Sequence, residues 1–392
     1  MLMAILLVPS LALLVPSLVL FIECLAARRG QSVSLGQGRR PRVAVLIPAH
    51  DEAEGIATTV RQVRDQLQPD DRLLVVADNC TDQTAEIAAL AGAEVVERSD
   101  VAHRGKGFAL AFGVHHLDAQ PPEVVVVVDA DCQIAAGAID CLARAALTSG
   151  RPVQAEYVLS ASDTTNPRAG LSALAFLIRN RVRMRGLQRL GQPCQLTGSG
   201  MAFPWPLLRD APPLHDNLVE DMVLGLHLAM AGAPPLHCAE ATISSQLPDA
   251  NKAQLGQRRR WEHGHLSTMI TLAPRLLMTG LRQGRLDLCV MALDLMVPPL
   301  ALLVMALLGL VAVNALAWFL GASSIPLLMS AGALGLVTSA VALAWWRFGR
   351  ATLPARSLLA VPGYMVWKIP LYLGFALRGH HRHWERTARS RC

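Results

Sequence analysis

Apolar residues crowd the two ends of the chain, whereas the middle alternates short apolar runs with periodic, mixed segments. Residues 2–27 are apolar and long enough to cross a ~30 Å hydrocarbon core, with Pro9 and Pro16 bending the helix and Glu23 at the interface. Residues 32–41, rich in Gly, Gln and Arg, read as a linker. From Arg42 the period changes. Strand-like runs at 43–47, 73–77, 94–97 and 124–128 alternate with helical patterns after Glu52, at 84–90 and at 107–117. The run at 124–128 is all valine, as suits a strand covered on both faces. This alternation predicts an α/β fold with a doubly wound, mostly parallel sheet.

After Trp261 the pattern changes again. Residues 266–281 are amphipathic enough to lie along a membrane surface, and 295–320 and 325–346 are two spanning candidates joined by a short loop. Residues 358–377 are apolar but broken by Pro362, Gly363, Lys368 and Pro370, so they read as re-entrant or interfacial. The expected order is an N-terminal transmembrane anchor at 1–27, a linker at 28–41, a cytoplasmic catalytic domain at 42–265, and a membrane part with a basic tail at 266–392. Arg28 and Arg29 follow the first apolar run and no positive residue precedes it, the reverse of a signal peptide's charge order. That predicts a retained anchor in the cell's inner (plasma) membrane, multi-pass, with the catalytic domain inside.

Composition narrows the function classes. Hydrophobic residues make up 52% and charged residues 17%, which fits a soluble centre between membrane segments. The net charge of +6 gathers beside apolar segments and in the tail, where anionic lipid attracts it. Few aromatics and no recognisable module argue against nucleic acid. The eight cysteines lie far apart without a C-x-x-C pair, so neither a zinc site nor a disulfide framework is indicated, and a reducing cytosol fits.

Candidate chemistry clusters after strands. Asp129 and Asp131 end the valine strand, and positions i and i+2 point the same way, so two hard carboxylates converge where Mg2+ or Mn2+ and a diphosphate would sit. A solvated Asp-rich turn accounts for them equally well. Asp78 also follows a strand and can accept from a base or ribose, although Asp and Asn there are ordinary turn residues. Lys106 has glycine neighbours that let an ammonium approach phosphate, without the spacing of a P-loop; a solvated lysine is the plainer reading. Glu220 and Asp221 start a helix. Asn217 three residues before Glu220 makes a capping box, which leaves Asp221 as the better candidate for a general base. Gln257, Arg260 and Trp261 share a helical face suited to a sugar and a diphosphate, whereas Arg258 and Arg259 read as a basic face on lipid. His263, His265 and the tail histidines at 380, 381 and 383 suggest metal only as a minority reading. Gly198-Ser199-Gly200 reads as a permissive loop after a strand, and the alternate arginines of 180–186 as a solvated helix or a lipid-phosphate contact.

The order of these pieces is more specific than any one. Pro48-Ala49-His50-Asp51-Glu52, Asp78 with Asp82, Gly105-Lys106-Gly107, Asp129-Ala130-Asp131, Gly198-Ser199-Gly200, Glu220-Asp221 and Gln257-Arg258-Arg259-Arg260-Trp261 together resemble a family 2 glycosyltransferase with the GT-A fold, of the membrane-bound bacterial exopolysaccharide branch. The resemblance covers about residues 42–265. It implies donor binding by Pro48, His50, Glu52, Asp78, Lys106, Asp129 and Asp131, metal at Asp129 and Asp131, and Asp221 as catalytic base. It also implies a donor and acceptor clamp of Glu220, Gln257, Arg260 and Trp261, with inversion by direct displacement. Asp51 stands where the family often has Asn, and Val219 where the synthases commonly have Thr. The expected reaction moves one sugar, from a UDP-sugar, to a polyprenyl-diphosphate-linked saccharide. Membrane lipids are the other expected partner, and the oligomeric state is not legible. Rival readings are a processive synthase, a glycolipid transferase with a ceramide-like or diacylglycerol acceptor, and an inactive nucleotide-sugar-binding scaffold.

Overall fold

The computed structural model describes residues 2–28, 39–160, 166–212, 219–246 and 251–378. Most of the expected linker, Arg29, Asn217 and the basic tail with its histidines lie outside these residues. The chain divides into two compact units. Among the described residues, one holds 2–28, 166–192 and 255–378, the other 39–160, 193–212, 219–246 and 251–254.

The second unit is built on an eight-stranded sheet: β1 Val43–Ala49, β2 Arg72–Asp78, β3 Glu94–Arg98, β4 Val124–Val127, β5 Gln133–Ile134, β6 Val153–Ser160, β7 Met201–Pro204 and β8 Leu236–Gln246. Their order is β3-β2-β1-β4-β7-β6-β8-β5. The first four are parallel, with Val45 opposite Leu73 on one side and Val126 on the other. β7 then enters antiparallel, with Ala202 beside Val126. The expected doubly wound, parallel-dominated α/β sheet is therefore present. The valines of β4 are buried, as a strand covered on both faces requires. Pro48 stands in a central strand, where a missing N–H is normally excluded. It is tolerated because pairing with β4 stops at Leu46, so only β2 flanks Pro48.

The other unit is helical. Among the described residues, four helices are long and apolar enough to cross a membrane: Met3–Ala26, Leu300–Phe319, Ile325–Gly349 and Ala355–Leu377. The span expected to start at 295 begins at Leu300, since Pro298 and Pro299 break the preceding helix Leu286–Leu295. The amphipathic stretch at 266–281 is part of one longer helix, Asn251–Gln283. Polar side chains of these helices meet one another: Asn314 Nδ2 lies 3.1 Å from Ser330 Oγ, 3.2 Å from Ser10 Oγ and 3.1 Å from the Pro326 carbonyl.

Two sequence readings are corrected in this unit. Glu23 and Arg183 are both buried, and Arg183 Nε donates to Glu23 Oε2 at 2.6 Å while Nη2 donates to Asp294 Oδ1 at 2.5 Å. Glu23 is thus enclosed by protein, and Arg183 is not a surface cation. Two carboxylates supply the pairing that makes a buried guanidinium tolerable. The chains approach closely there: a Cβ on Gly186 would lie 2.0 Å from the Glu23 carbonyl oxygen. Arg258, expected on lipid, is buried too, donating to Tyr364 Oη at 3.2 Å with its guanidinium 5.5 Å from the Trp367 ring centre.

Candidate functional site

The sheet unit gathers its polar residues at the C-terminal ends of β1, β2 and β4, where parallel sheets carry their ligand crevices. After β1 the chain turns through Asp51 at φ 51°, and after β2 through Asn79 at φ 52°. Asn and Asp adopt that left-handed conformation most readily among non-glycine residues, which explains why Asp51 substitutes for Asn without disturbing the turn. Asp51 Oδ1 accepts from the Thr81 amide at 2.6 Å, and His50 Nδ1 is 2.6 Å from the Asp78 carbonyl oxygen. The Glu52 amide donates to Thr84 Oγ1 at 2.7 Å. Asp78 is buried and fixed: Arg98 Nη1 donates to its Oδ1 at 2.6 Å and Asn79 Nδ2 at 2.9 Å. Nothing in the local sequence marked Arg98, which reaches Asp78 only because β3 lies beside β2.

Lys106 begins the helix Lys106–Leu117 and is the hub of the site. Its ammonium pairs with Asp129 Oδ1 and donates to the Gly198 carbonyl at 2.6 Å. Burial alone would lower the Lys106 pKa, but the carboxylates of Asp129, Glu220 and Asp221 raise it, so the cation is firmly held. Burial pushes Asp129 up, with the Asp131 carboxylate adding and Lys106 opposing. Burial also raises Glu220 to about 7, helped by Asp221 beside it. Lys106, Asp129, Glu220 and Asp221 thus form one electrostatic group.

Asp129 and Asp131 do come together, but not by strand alternation. β4 ends at Val127, and both carboxylates sit in the turn that follows. Ser199 Oγ accepts from the Asp129 amide at 3.1 Å, and Ser245 on β8 donates to Asp131 Oδ2 at 3.1 Å. Neither serine was marked as a site residue by sequence reasoning. The loop 198–200 also leads into β7 rather than following a strand, because the chain must turn there to run antiparallel to β4. Gly198 has φ 93°, and a Cβ on it would lie 3.2 Å from Asp221 Oδ2 and 3.5 Å from Lys106 Nζ. Backbone conformation and space both call for glycine.

The donor set fits a hard divalent cation. Ligand atoms of Asp129, Asp131 and Cys132 lie within 4.8 Å of one another. The Cys132 thiol is 3.1 Å from Ser199 Oγ, and burial pushes its pKa well above the ordinary range, so it stays protonated and leaves the carboxylates as donors. Asp51, Cys80 and Asp82 also converge, but Asp82 caps the amides of Thr84 at 3.0 Å and Ala53 at 3.2 Å, a turn-building role.

Of the expected clamp residues, Gln257, Arg260 and Trp261 belong to the helical unit and Glu220 to the sheet unit. The Trp261 ring lies 5.8 Å from that of Phe176, Arg260 is half-buried, and the side chain of Gln257 lies outside the described residues. His263 and His265 are buried and face backbone carbonyls, Leu371 at 3.0 Å and Leu295 at 3.1 Å, so each has a packing role.

Comparison with known proteins bears on the family and the fold. The model of the family described as glycosyltransferase like family 2 matches residues 41–264. A probable glucomannan 4-beta-mannosyltransferase 10 of Arabidopsis thaliana is 26% identical over 267 residues, 60% of this chain and 45% of the plant protein. The chain thus spans less than half the length of that relative. Among solved structures, the mannosyltransferase PcManGT from Pyrobaculum calidifontis, in complex with GDP-Man and Mn2+, superposes with a TM-score of 0.58 at 18% identity. It covers 96% of this chain and 99% of its own, so the fold is alike.

Proposed function

Because the chain belongs to glycosyltransferase family 2, we propose that it transfers a single sugar, with inversion, from a nucleoside-diphosphate sugar to a saccharide held on a polyprenyl-diphosphate lipid. The observation that carries this reading is the Lys106 hub, which ties Asp129 to the Gly198 carbonyl and stands beside Glu220 and Asp221. Asp78, held by Arg98, accepts a hydrogen bond from the donor's base or ribose. Lys106 meets the diphosphate as a positive charge. Asp129 and Asp131 hold Mn2+ or Mg2+, which when bound neutralises the departing diphosphate. Asp221 takes the proton from the acceptor hydroxyl as that oxygen attacks the anomeric carbon. The family resemblance assigns Gln257, Arg260 and Trp261 to donor and acceptor binding, and Glu220 stands beside the base. Pro48, His50 and Glu52 shape the turn that receives the nucleotide.

The catalytic unit faces the cytoplasm of the inner membrane, where nucleotide-sugars are found, and a role in exopolysaccharide assembly fits that placement. UDP-sugars are the first donors to test, and GDP-mannose belongs beside them because both similar proteins are named as mannosyltransferases. The test presents purified enzyme in lipid nanodiscs with a donor panel and a membrane lipid extract. One donor should yield a lipid product heavier by one sugar, its new bond opposite in anomeric configuration to the donor. Failure to consume any donor, or a polymer ladder, would overturn the reading.

A further inference from the structure

Cys141 and Cys238 are 97 residues apart in sequence, yet their Sγ atoms lie 3.2 Å apart. Cys141 stands in the first turn of the helix Ala138–Ser149, half-buried, and Cys238 is fully buried on β8. Cys238 pairs with Ala155 of β6, immediately before the irregularity that shifts the register to Glu156 opposite Thr242. The two thiols are chemically unequal. A hydrogen bond from Cys238 holds the Cys141 thiol below its usual range, and that same bond, with burial, pushes Cys238 up. The more accessible sulfur is therefore the better nucleophile, and the sheltered one lies directly behind it.

We propose that Cys141 and Cys238 are a redox pair that closes to an intramolecular disulfide. The oxidant is a low-molecular-weight disulfide. The Cys141 thiolate attacks one of its sulfurs, forming a mixed disulfide and releasing one small thiol. Cys238 gives up its proton to solvent, and its thiolate attacks the Cys141 sulfur and expels the second small thiol. Two electrons and two protons leave the pair, and the small disulfide is reduced to two thiols. The bond ties the helix Ala138–Ser149 to β8, the strand whose Ser245 holds Asp131.

A metal ion is the competing occupant, since Glu240 Oε2 lies 3.5 Å from Cys238 Sγ and completes a three-residue group. Two thiolates on one tetrahedral zinc, with Zn–S of about 2.3 Å, stand about 3.8 Å apart. The observed 3.2 Å is closer than that, and Glu240 is exposed.

The test incubates full-length protein in nanodiscs with oxidised glutathione, then alkylates it under denaturing conditions and maps the peptides. A Cys141–Cys238 linkage should appear and disappear on reduction, forming at least about tenfold faster than any modification of half-buried Cys80. Cys238→Ser should trap glutathione on Cys141. A stable glutathione adduct on wild-type Cys141, both thiols alkylating without linkage, or a bound zinc ion that blocks oxidation until it is chelated would each overturn the proposal. Wild-type mapping decides the matter even if a variant fails to fold.

Discussion

The ammonium of Lys106 donates to the carbonyl oxygen of Gly198 at 2.6 Å. That bond joins the start of the helix after β3 to the loop entering β7, and the pairing of Lys106 with Asp129 draws in the end of β4. One cation therefore organises three chain segments. Its position depends on Gly198 having no side chain.

Gly198→Ala should lower kcat by about 100-fold or more, in the range seen when one preorganised polar contact is lost. The added methyl would stand 3.2 Å from Asp221 Oδ2 at φ 93°. Steady-state kinetics, with a melting curve to show that the variant folds, checks this. Near-wild-type turnover would mean that the Lys106–Gly198 contact is not needed.

Asp221→Asn should abolish transfer, by about 10³-fold, while leaving donor affinity within a few-fold, because a base acts on the acceptor. Glu220→Gln should cost less. Calorimetric donor binding beside product formation separates the two effects, and a folded Asp221→Asn variant that no longer binds donor would assign Asp221 to the donor side.

Chelator should remove activity, and Mn2+ or Mg2+ should restore it. Asp131→Ala should lose activity and not recover at high metal, since Asp131 and Asp129 are the donors the site offers. Full turnover in chelator would end this assignment.

The parts legible in the sequence are those set by short-range pattern. Consecutive valines mark β4, and acidic residues just past strands lie at the crevice because strand ends are local features. What was illegible depends on distant partners. Arg183 sits among alternating arginines and looks solvated, yet its partners Glu23 and Asp294 are 160 and 111 residues away. Arg98 meets Asp78 only across two paired strands, and Ser245 reaches Asp131 from β8. Cys141 and Cys238 show no spacing signal because helix packing on β8, not a local motif, places them together. Residues 166–192 lie within the stretch that resembles a catalytic domain, yet they cluster with the apolar helices.

Acid should destabilise the helical unit through His265. Its Nε2 proton rests on the Leu295 carbonyl, and burial, with Arg179 and Arg183 nearby, pushes the pKa from 6.5 down to about 3. Between those values the unfolded chain binds the extra proton and the folded chain does not, so stability is full above 6.5 and falls as pH drops below it. The slope from this one group approaches about 1.4 kcal/mol per pH unit. Melting temperatures of wild type and His265→Gln at about pH 7.5 and about pH 5 test this, the variant losing less on acidification. Equal losses would remove His265 from the account.

The helix Val361–Arg378 lies within a segment long and apolar enough to cross a membrane and yet is expected to lie at its surface. Arg347 Nη1 donates to the carbonyls of Leu25 at 3.1 Å and Ala27 at 3.0 Å, while Ser10 Oγ is 3.5 Å from the Pro326 carbonyl. The first and third spans therefore run parallel, with their C-terminal ends at one level. Glu23 lies near that level, and through Arg183 so does Asp294. His265 bonds to Leu295, which carries the level along to the helix Asn251–Gln283. One turn earlier on that helix, Glu262 pairs with Lys368, the middle of Val361–Arg378, and His263 faces the Leu371 carbonyl at 3.0 Å. With the first and third helices read as spans, the midpoint of the last helix stands at the level of their ends, whereas a spanning helix has its midpoint at the bilayer centre, about 15 Å deeper. Lys368 is buried against Glu262 rather than left in lipid, where an unpaired ammonium is costly. The chain end should then lie on the same side as the catalytic unit. A reporter fused after Cys392 should give a cytoplasmic signal, and Lys368→Leu should leave that signal unchanged while loosening the helix to proteolysis. A periplasmic signal from the wild-type fusion would show that Val361–Arg378 crosses the bilayer.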